Sequence, residues 1–233
     1  MELHRILLKL SGEALAGDAH HGFSDEEVTR VASEVKKVVD KGVQVGVVIG
    51  GGNFWRGRTS DGMDRVKADQ IGMLATVMNC IYAADAFRRA GMKCKITSPY
   101  AIGDVTEMYV RDKAIEYMEQ GYVVFFAGGS GHPFFSTDMP AVLRAVETEC
   151  DAVLSAKAID GVYDSDPKIN PNAKKYDSIS IEEVVEKKLG VIDLTASVMC
   201  MENKVPLMIF GLEEENSIVN ALTGKFNGTI VTA

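Results

Sequence analysis

Three consecutive glycines follow an apolar run in the segment VQVGVVIGGGNFWRGR, which covers residues 43–58. Glycine leaves the backbone N–H groups accessible, and bare N–H groups can cradle phosphate oxygens. Arg56 and Arg58 add positive charge directly after the glycines. Taken alone, the glycines also fit a linker or a tight turn, because glycine is a common turn residue. The segment therefore raises the hypothesis of a phosphate-binding loop.

Three other segments share this organisation, in which an apolar run that predicts a strand leads into glycine. The four segments are LLKLSGEAL at 7–15, VVIGGGNFWRGR at 47–58, FFAGGSGHPFFSTD at 125–138 and LSAKAIDGVYDSDP at 154–167. The carboxyl ends of parallel strands lie along one edge of a sheet, so we expect the four loops to converge there. Four converging glycine loops, two of them beside basic side chains, indicate a site for two ligands that carry phosphate.

The elements that must position these loops follow from the apolar pattern. Runs of Val, Ile and Leu without polar alternation predict strands buried on both faces, at 5–10, 43–49, 94–98, 122–127, 152–155 and 206–210. Apolar periodicity predicts helices at 24–41, 64–90, 107–120, 138–149, 181–188, 194–203 and 214–222. Ser24 and Glu27 form a candidate capping box at the first helix. The alternation predicts an α/β sandwich with a mainly parallel sheet.

One region interrupts this alternation. Residues 157–180 are polar and rich in turn residues, with Pro167 and Pro171 among them. This composition predicts an excursion between sheet elements, either a hairpin or a lid. A soft boundary falls near residue 150, without a linker that would separate two folds. We therefore expect a single domain over residues 1–233.

Composition, net charge and the N-terminal segment limit the classes of protein to which this chain can belong. The chain has 233 residues, of which 46% are apolar and 25% charged, which is typical of a globular protein. A net charge of -8 disfavours a nucleic-acid or membrane partner. The start MELHRILLKLSG has too short an apolar run for a signal peptide, so a cytoplasmic location is expected.

The common site motifs are also missing from the sequence. The four cysteines form no CxxC pair and the four histidines form no HxxxH pair, so we expect neither disulfides nor a metal held by protein ligands alone. The sequence has no GxxxxGK[ST], and Trp55 stands where GxGxxG needs its last glycine. A P-loop NTPase and an ordinary dinucleotide enzyme are therefore disfavoured.

Six segments of the chain carry a resemblance to a known family: RILLKLSGEAL, VGVVIGGGNFWRG, DQIGMLATVMN, GHPFFSTD, DGVYDSDP and VIDLTA. Together they resemble the bacterial-type uridylate (UMP) kinases of the amino acid kinase superfamily, and the similarity spans nearly the whole chain. The resemblance implies a three-layer αβα sandwich and the reaction of MgATP with UMP to give ADP and UDP. It also implies Mg²⁺ that arrives with ATP, a homohexamer, activation by GTP and inhibition by UTP.

The resemblance further assigns roles to residues of this chain. It implies catalytic roles for Lys9, Arg56, Asp138 and Asp193, with Lys9 neutralising the transferring phosphoryl group. The residues that match ATP-binding positions are Lys9, Leu10, Ser11, Gly12, Gly52, Arg56, Lys157, Tyr163 and Asp166. The residues that match UMP-binding positions are Gly51, Asp69, Ser130, Gly131, His132, Pro133, Phe134, Phe135, Ser136 and Thr137. The soft boundary then divides a UMP half, 1–150, from an ATP half, 151–233.

The chain departs from the family pattern at three positions. Ser130 stands where the family has Thr, His132 where it has Asn, and Lys157 where it has Thr or Asn. The first two lie on the loop that the resemblance assigns to the base, and the third lies among the ATP contacts. The missing histidine pattern agrees with the chemistry, because a nucleoside monophosphate ionises with a second pKa near ~6 and needs no general base.

Several of these residues also have plainer interpretations. Lys9 could extend along apolar surface to solvent, Asp69 could be a first-turn helix acid, and Asp138 could be only a helix N-cap. Arg56 could be a solvated loop charge. Two other functions stay open: a kinase of this fold that phosphorylates carbamate, aspartate, glutamate or N-acetylglutamate, and a nucleotide-binding sensor or storage assembly without turnover.

Overall fold

A computed structural model describes residues 2–57, 62–224 and 226–233. The strands are β1 (Arg5–Leu10), β2 (Gln44–Ile49), β3 (Lys93–Ser98), β4 (Glu107–Met108), β5 (Tyr122–Phe126), β6 (Ala152–Lys157), β7 (Val162–Tyr163), β8 (Lys175–Tyr176), β9 (Ser178–Ser180), β10 (Leu207–Gly211) and β11 (Gly228–Thr232). The helices are α1 (Asp25–Val39), α2 (Arg65–Arg89), α3 (Arg111–Glu119), α4 (Asp138–Glu147), α5 (Ile181–Glu186), α6 (Leu194–Asn203) and α7 (Ser217–Thr223). Arg58, which the sequence places beside Arg56, lies outside the described residues.

Within the described residues, nine strands form one sheet in the order β4-β3-β5-β2-β1-β6-β10-β11-β9. Neighbouring strands from β4 to β10 are parallel, β11 pairs antiparallel with β10, and β9 is parallel to β11. The predicted mainly parallel sheet is confirmed. β7 and β8 form a separate antiparallel pair, so the polar region at 157–180 contains the hairpin that was one of its two predicted forms.

Helices cover both faces of the sheet and create two cores. One core packs α1, α2 and α7 against side chains such as Leu8 and Leu10, and the other packs α3, α4, α5 and α6 against Leu7 and Val48. Because side chains alternate between the faces of a strand, β1 contributes to both cores. Lys9 therefore shares the face of Leu7, which is the face covered by α4. The three-layer αβα architecture is confirmed.

Helix boundaries follow the sequence with two corrections. The predicted helix at 107–120 begins only at Arg111, because Glu107 and Met108 pair with β3 as an edge strand and Val110 is extended. The predicted helix at 214–222 begins only at Ser217, because Asn216 has a left-handed φ of 60°. Short β4, β9 and β11 were not predicted. Ser24 caps α1 by accepting a hydrogen bond from the Glu27 N–H at 3.3 Å, as predicted.

In the described residues, no helix is both long and apolar enough to cross a membrane. The proposed halves 1–150 and 151–233 share the central sheet, since β1 pairs with β2 on one side and with β6 on the other. The division into a UMP half and an ATP half stays a prediction.

Candidate active site

Three of the four glycine loops converge at the carboxyl edge of the sheet, as predicted from the parallel strands. A cleft of about 380 Å³ opens there. The loops after β1, β2 and β5 line it, together with α2 residues from Arg65 to Thr76. The fourth loop follows β6 and does not line this cleft; Lys157, the last residue of β6, contacts Asp138 in a small adjoining pocket that Lys9 also lines. The loops after β1, β2 and β5 therefore bring glycine backbone and charged side chains together at one cleft.

Two lysines flank one aspartate beside this cleft: Lys9 lines the cleft, and Lys9, Asp138 and Lys157 together line a small adjoining pocket. Lys9 Nζ lies 3.0 Å from Asp138 Oδ1, and Lys157 Nζ lies 3.5 Å from Asp138 Oδ2. Lys157 also donates a hydrogen bond to the Val191 carbonyl. We call Lys9, Asp138 and Lys157 the phosphate centre. Lys9 has only 8% of its surface exposed, so it does not extend to solvent.

Charge and burial both act on the phosphate centre. Burial tends to raise the pKa of Asp138, but the ammonium groups of Lys9 and Lys157 outweigh it and lower the pKa below its ordinary value. Burial, and then the charge of Lys9, lower the pKa of Lys157. Asp138 is the first residue of α4, where the helix dipole also favours a carboxylate. Its side chain pairs with the lysines, and Thr137 occupies the N-cap position.

Arg56 and Glu13 form an ion pair that joins the loops after β1 and β2. Both residues line the cleft, and the Arg56 side chain is 61% exposed. The Leu10 side chain, by contrast, is buried in the core, and its carbonyl accepts a hydrogen bond from the Gly50 N–H at 2.9 Å. Any contact of Leu10 with a nucleotide would therefore come from its backbone. Ser11, the next residue, lines the cleft.

Residues 128–137, which we call the acceptor loop, are held by side chains of α2. Asp69 Oδ2 accepts hydrogen bonds from the Phe134 N–H and from Arg65 Nε, both at 2.8 Å. The Arg65 guanidinium also lies 5.5 Å from the centroid of the Phe134 ring. Thr76 Oγ1 accepts from the Gly128 N–H at 2.8 Å. Asp69 lines the cleft, but one of its oxygens already positions this loop.

The predicted UMP contacts divide into two groups along the acceptor loop. The members that line the cleft are Ser130, His132, Phe135, Ser136 and Thr137. Gly131, Pro133 and Phe134 do not line it, and Phe134 is an exposed residue with φ 73°. Ser130 Oγ accepts from the His132 N–H at 3.2 Å, which closes a local turn.

Asp193 connects the acceptor loop to α6. Its Oδ1 accepts from the Ala196 N–H at 2.8 Å and caps the helix, and its Oδ2 accepts from the Ser136 hydroxyl. Ser136 Oγ also accepts from the Asp138 N–H at 3.2 Å. Asp193 itself does not line the cleft. Its carboxylate therefore reaches the phosphate centre through Ser136.

Tyr163 and Asp166, two predicted ATP contacts, lie on the hairpin side of the edge and do not line the cleft. Tyr163 donates to Asp160 Oδ1 at 2.7 Å, and Asp166 Oδ1 accepts from the Lys168 N–H at 2.9 Å. Both side chains thus stabilise local turns. Their contact with ATP stays a prediction.

Glycine occupies the positions in these loops for different structural reasons. A Cβ at Gly12 would overlap the Gly50 carbonyl oxygen, and a Cβ at Gly51 would lie 2.7 Å from the Gly72 carbonyl oxygen of α2. These two glycines allow backbone segments to approach closely. A Cβ at Gly52 would meet only the Glu13 side chain, at 3.1 Å. Gly12 and Gly51 therefore have a structural reason to be glycine that does not depend on phosphate.

Sequence reasoning missed several residues that build this site. Glu13 and Arg65 carry charge at the cleft, and Asn53 and Asn79 form a buried amide pair beneath it. One feature of the sequence indicated a buried polar contact: Asn79 is a polar residue inside the apolar stretch of the long helix. The partner of each residue depends on how α2 lies over the loops, which the sequence pattern alone does not give.

Comparison with known proteins gives consistent results. The model of the amino acid kinase family matches residues 4–211. The structure of UMP kinase from Bacillus anthracis is 35% identical, with a TM-score of 0.96, over 100% of this chain and 97% of that one. UMP kinase from Ureaplasma parvum is 35% identical, with a TM-score of 0.94, over 100% of both chains. Uridylate kinase from Archaeoglobus fulgidus is 27% identical, with a TM-score of 0.75, over 97% and 99%.

Proposed function

This chain belongs to the amino acid kinase family, and we propose that it is a UMP kinase, which transfers the γ-phosphoryl group of ATP to UMP and yields ADP and UDP. The phosphate centre carries this proposal. It sets two ammonium groups beside a cleft whose wall is the acceptor loop, and the Lys9 ammonium lines that cleft. Full-length similarity to UMP kinases at 35% identity supports the choice of acceptor.

The chemistry requires positioning and charge neutralisation more than acid or base groups. An oxygen of the UMP phosphate attacks the γ-phosphorus, and the bond from that phosphorus to the β,γ-bridging oxygen breaks, so ADP leaves with the bond electrons. Lys9 neutralises charge on the transferring group. Asp138 holds Lys9 and Lys157 side by side without removing the net positive charge of the trio.

The remaining residues divide between the two nucleotides. We assign ATP to the loop at Lys9–Gly12, to Gly52, Arg56 and Lys157, and to the hairpin residues Tyr163 and Asp166. We assign UMP to Gly51, Asp69 and the acceptor loop. Ser130 and His132 line the cleft, which supports a role in contacting the base or phosphate. Asp193 acts through Ser136 as a residue that positions the acceptor loop.

Mg²⁺ enters this proposal with ATP. Both oxygens of Asp138 face ammonium groups, so this carboxylate is poorly suited to replace the phosphates as a primary metal ligand. Mg²⁺ commonly keeps several waters and is bound through substrate phosphates. The ion supplies further neutralisation of phosphate charge when it is bound.

The proposal extends to a cytoplasmic homohexamer that responds to GTP and UTP, as the family resemblance implies. Four exposed apolar side chains at helical spacing on α2 support a subunit contact there: Ile71, Leu74, Met78 and Ile81. Replacing Leu74 with Glu should then reduce the assembly to a smaller species in light scattering. An unchanged molar mass for Leu74→Glu would rule out this face.

An acceptor panel tests the function. ADP formation is measured with MgATP and one of UMP, CMP, dUMP, carbamate, aspartate, glutamate or N-acetylglutamate, with a blank that lacks acceptor. We expect ADP and UDP in equal amounts with UMP. ADP formation with an amino acid but not with UMP would support the other kinase reading. Tight ATP binding without ADP release for any acceptor would support a nucleotide-binding sensor or storage assembly.

A further inference from the structure

A reciprocal amide pair lies beneath the three glycines. Asn79 Nδ2, in the middle of α2, donates to the Gly50 carbonyl at 2.6 Å and to Asn53 Oδ1 at 2.8 Å. Asn53 Nδ2 donates to Asn79 Oδ1 at 3.0 Å and to the Gly22 carbonyl at 2.8 Å. The two carbonyl acceptors fix the orientation of both amides, because only the nitrogen can donate. Both asparagines are at most 1% exposed.

This pair determines which way a backbone peptide faces. In a planar trans peptide, the carbonyl of one residue and the N–H of the next point in opposite directions. Since Asn79 draws the Gly50 carbonyl inward, the Gly51 N–H points away from Asn79. The Gly51 carbonyl accepts from the Phe54 and Trp55 N–H groups at 3.0 Å, so the Gly52 N–H is oriented by the same rule. Gly51 and Gly52 both line the cleft.

Three consecutive glycines would otherwise leave this orientation weakly determined. Glycine has no Cβ to restrict φ and ψ, so a peptide between two glycines can rotate to present its carbonyl instead of its N–H. A carbonyl oxygen turned toward the cleft would repel phosphate. None of Gly50, Gly51 and Gly52 adopts the left-handed φ that would by itself require glycine.

We propose that Asn79 is a positioning residue that holds the Gly50–Gly51 peptide with its N–H toward the phosphate of a bound nucleotide, and that Asn53 orients the Asn79 amide. The identity of the bound nucleotide in this inference rests on the proposed function. The contact between the peptide N–H and an anion rests on the amide pair and the peptide geometry. Neither asparagine touches the ligand in this proposal.

The test compares ligands with and without phosphate. UMP, uridine and inorganic pyrophosphate are titrated calorimetrically into the full chain and its Asn79→Ala variant. Loss of one oriented N–H bond to a charged group corresponds to about a tenfold or greater weakening. We therefore expect UMP and pyrophosphate to bind about tenfold or more weakly to Asn79→Ala, and uridine to bind within about twofold of the unchanged chain.

Cys80→Ala is the matched control, because Cys80 is the next residue of α2, is fully buried and belongs to the core. It should lower the melting temperature without changing the ratio of UMP to uridine affinity. Equal weakening of UMP and uridine by Asn79→Ala, or an unchanged UMP affinity, would overturn the inference, since general loosening of α2 would then suffice.

Asn53→Ala provides a second variant if Asn79→Ala does not fold. It keeps the bond from Asn79 to Gly50 but removes the orienting amide, so we expect a smaller loss in the same direction. An Asn53→Ala chain that keeps its full UMP and pyrophosphate affinity would contradict the inference. An unchanged chain that binds pyrophosphate but not UMP would instead refute the proposed function, and the pyrophosphate results would still decide the role of Asn79.

Discussion

The phosphate centre and the acceptor loop lie in one cleft but are held by different physical means. The centre uses charged side chains at a strand end and a helix start, where Lys9 is buried and pairs with Asp138. The acceptor loop uses side chains of α2 that accept hydrogen bonds from its backbone, at Gly128 and Phe134. The loop includes glycines with positive φ and the exposed Phe134.

This difference suggests a division of labour. A group that must stabilise charge during transfer benefits from fixed position and low exposure, which strand ends and helix starts provide. A loop that admits an acceptor can be held by a few contacts that set its shape. Variants in the phosphate centre should therefore change kcat, and variants at the anchors of the acceptor loop should change KM for UMP.

The largest expected effect comes from Lys9→Ala. Loss of a preorganised positive charge at the transferring group should lower kcat by roughly 100-fold or more. Steady-state kinetics with MgATP and UMP measure the change. Lys9→Met retains much of the apolar volume in β1 and should lose the same activity, which separates the charge from packing.

Lys36→Ala is a control for Lys9, because Lys36 is a lysine on the surface of α1 that pairs with Asp40. Its kcat should stay within about twofold of the unchanged chain, as is common for surface substitutions. Normal turnover by a folded Lys9→Ala or Lys9→Met protein would remove Lys9 from the mechanism and end the contrast between the two regions.

A smaller effect is expected from Asp69→Ala at the anchor of the acceptor loop. Removing the carboxylate releases the Phe134 N–H and Arg65, and a charge-assisted hydrogen bond is worth about tenfold in binding. We expect KM for UMP to rise about tenfold while KM for ATP stays nearly constant. Initial rates with each nucleotide varied in turn give both values.

Asp85→Ala is the matched control for Asp69, since Asp85 also pairs with an arginine one helical turn away on α2, Arg89. It should leave both KM values unchanged. Equal increases in KM for UMP and ATP in Asp69→Ala would show that the carboxylate supports the whole cleft and not the acceptor loop in particular.

The third prediction separates two neighbouring glycines. Gly51→Ala places a Cβ 2.7 Å from the Gly72 carbonyl oxygen, and backbone cannot move aside cheaply, so the melting temperature should fall by several degrees. Gly52→Ala meets only the Glu13 side chain, so its melting temperature should change less while its nucleotide affinity falls. Thermal melts and titrations of both variants make the comparison. A larger loss of stability in Gly52→Ala would contradict it.

Sequence patterns predicted the central strands well because β1, β2, β5 and β6 are short runs dominated by apolar residues, which is typical of strands buried on both faces of a parallel sheet. The edge strands β4 and β9 were missed because two or three residues carry no periodicity. The family resemblance singled out Lys9 and Asp138, and the alternation along β1 explains why Lys9 faces α4.

The anchors of the loops could not be predicted in the same way. Asn79 meets Gly50 across 29 positions, and Asp69 meets Phe134 across 65. These contacts depend on how α2 is placed over the sheet edge, and many polar residues in the sequence could have served. The same limit explains why the close approach of Gly51 to Gly72 was not expected.

The smallest expected effect is the pH dependence of stability that Asp138 contributes. Its pKa in the folded chain lies below the ordinary value of 3.8, because Lys9 and Lys157 outweigh the effect of burial. A carboxyl group of this kind stabilises the fold above pH 3.8, and that stabilisation is lost as the pH falls through the folded pKa.

Asp138→Asn lacks this titration. The difference in the free energy of unfolding between the unchanged chain and Asp138→Asn should therefore be constant near neutral pH and shrink below pH 3.8. Urea unfolding of both proteins at matched pH values measures it. A difference that grows on acidification would mean that the two ammonium groups do not stabilise the Asp138 carboxylate, and the phosphate centre would then need a different electrostatic account.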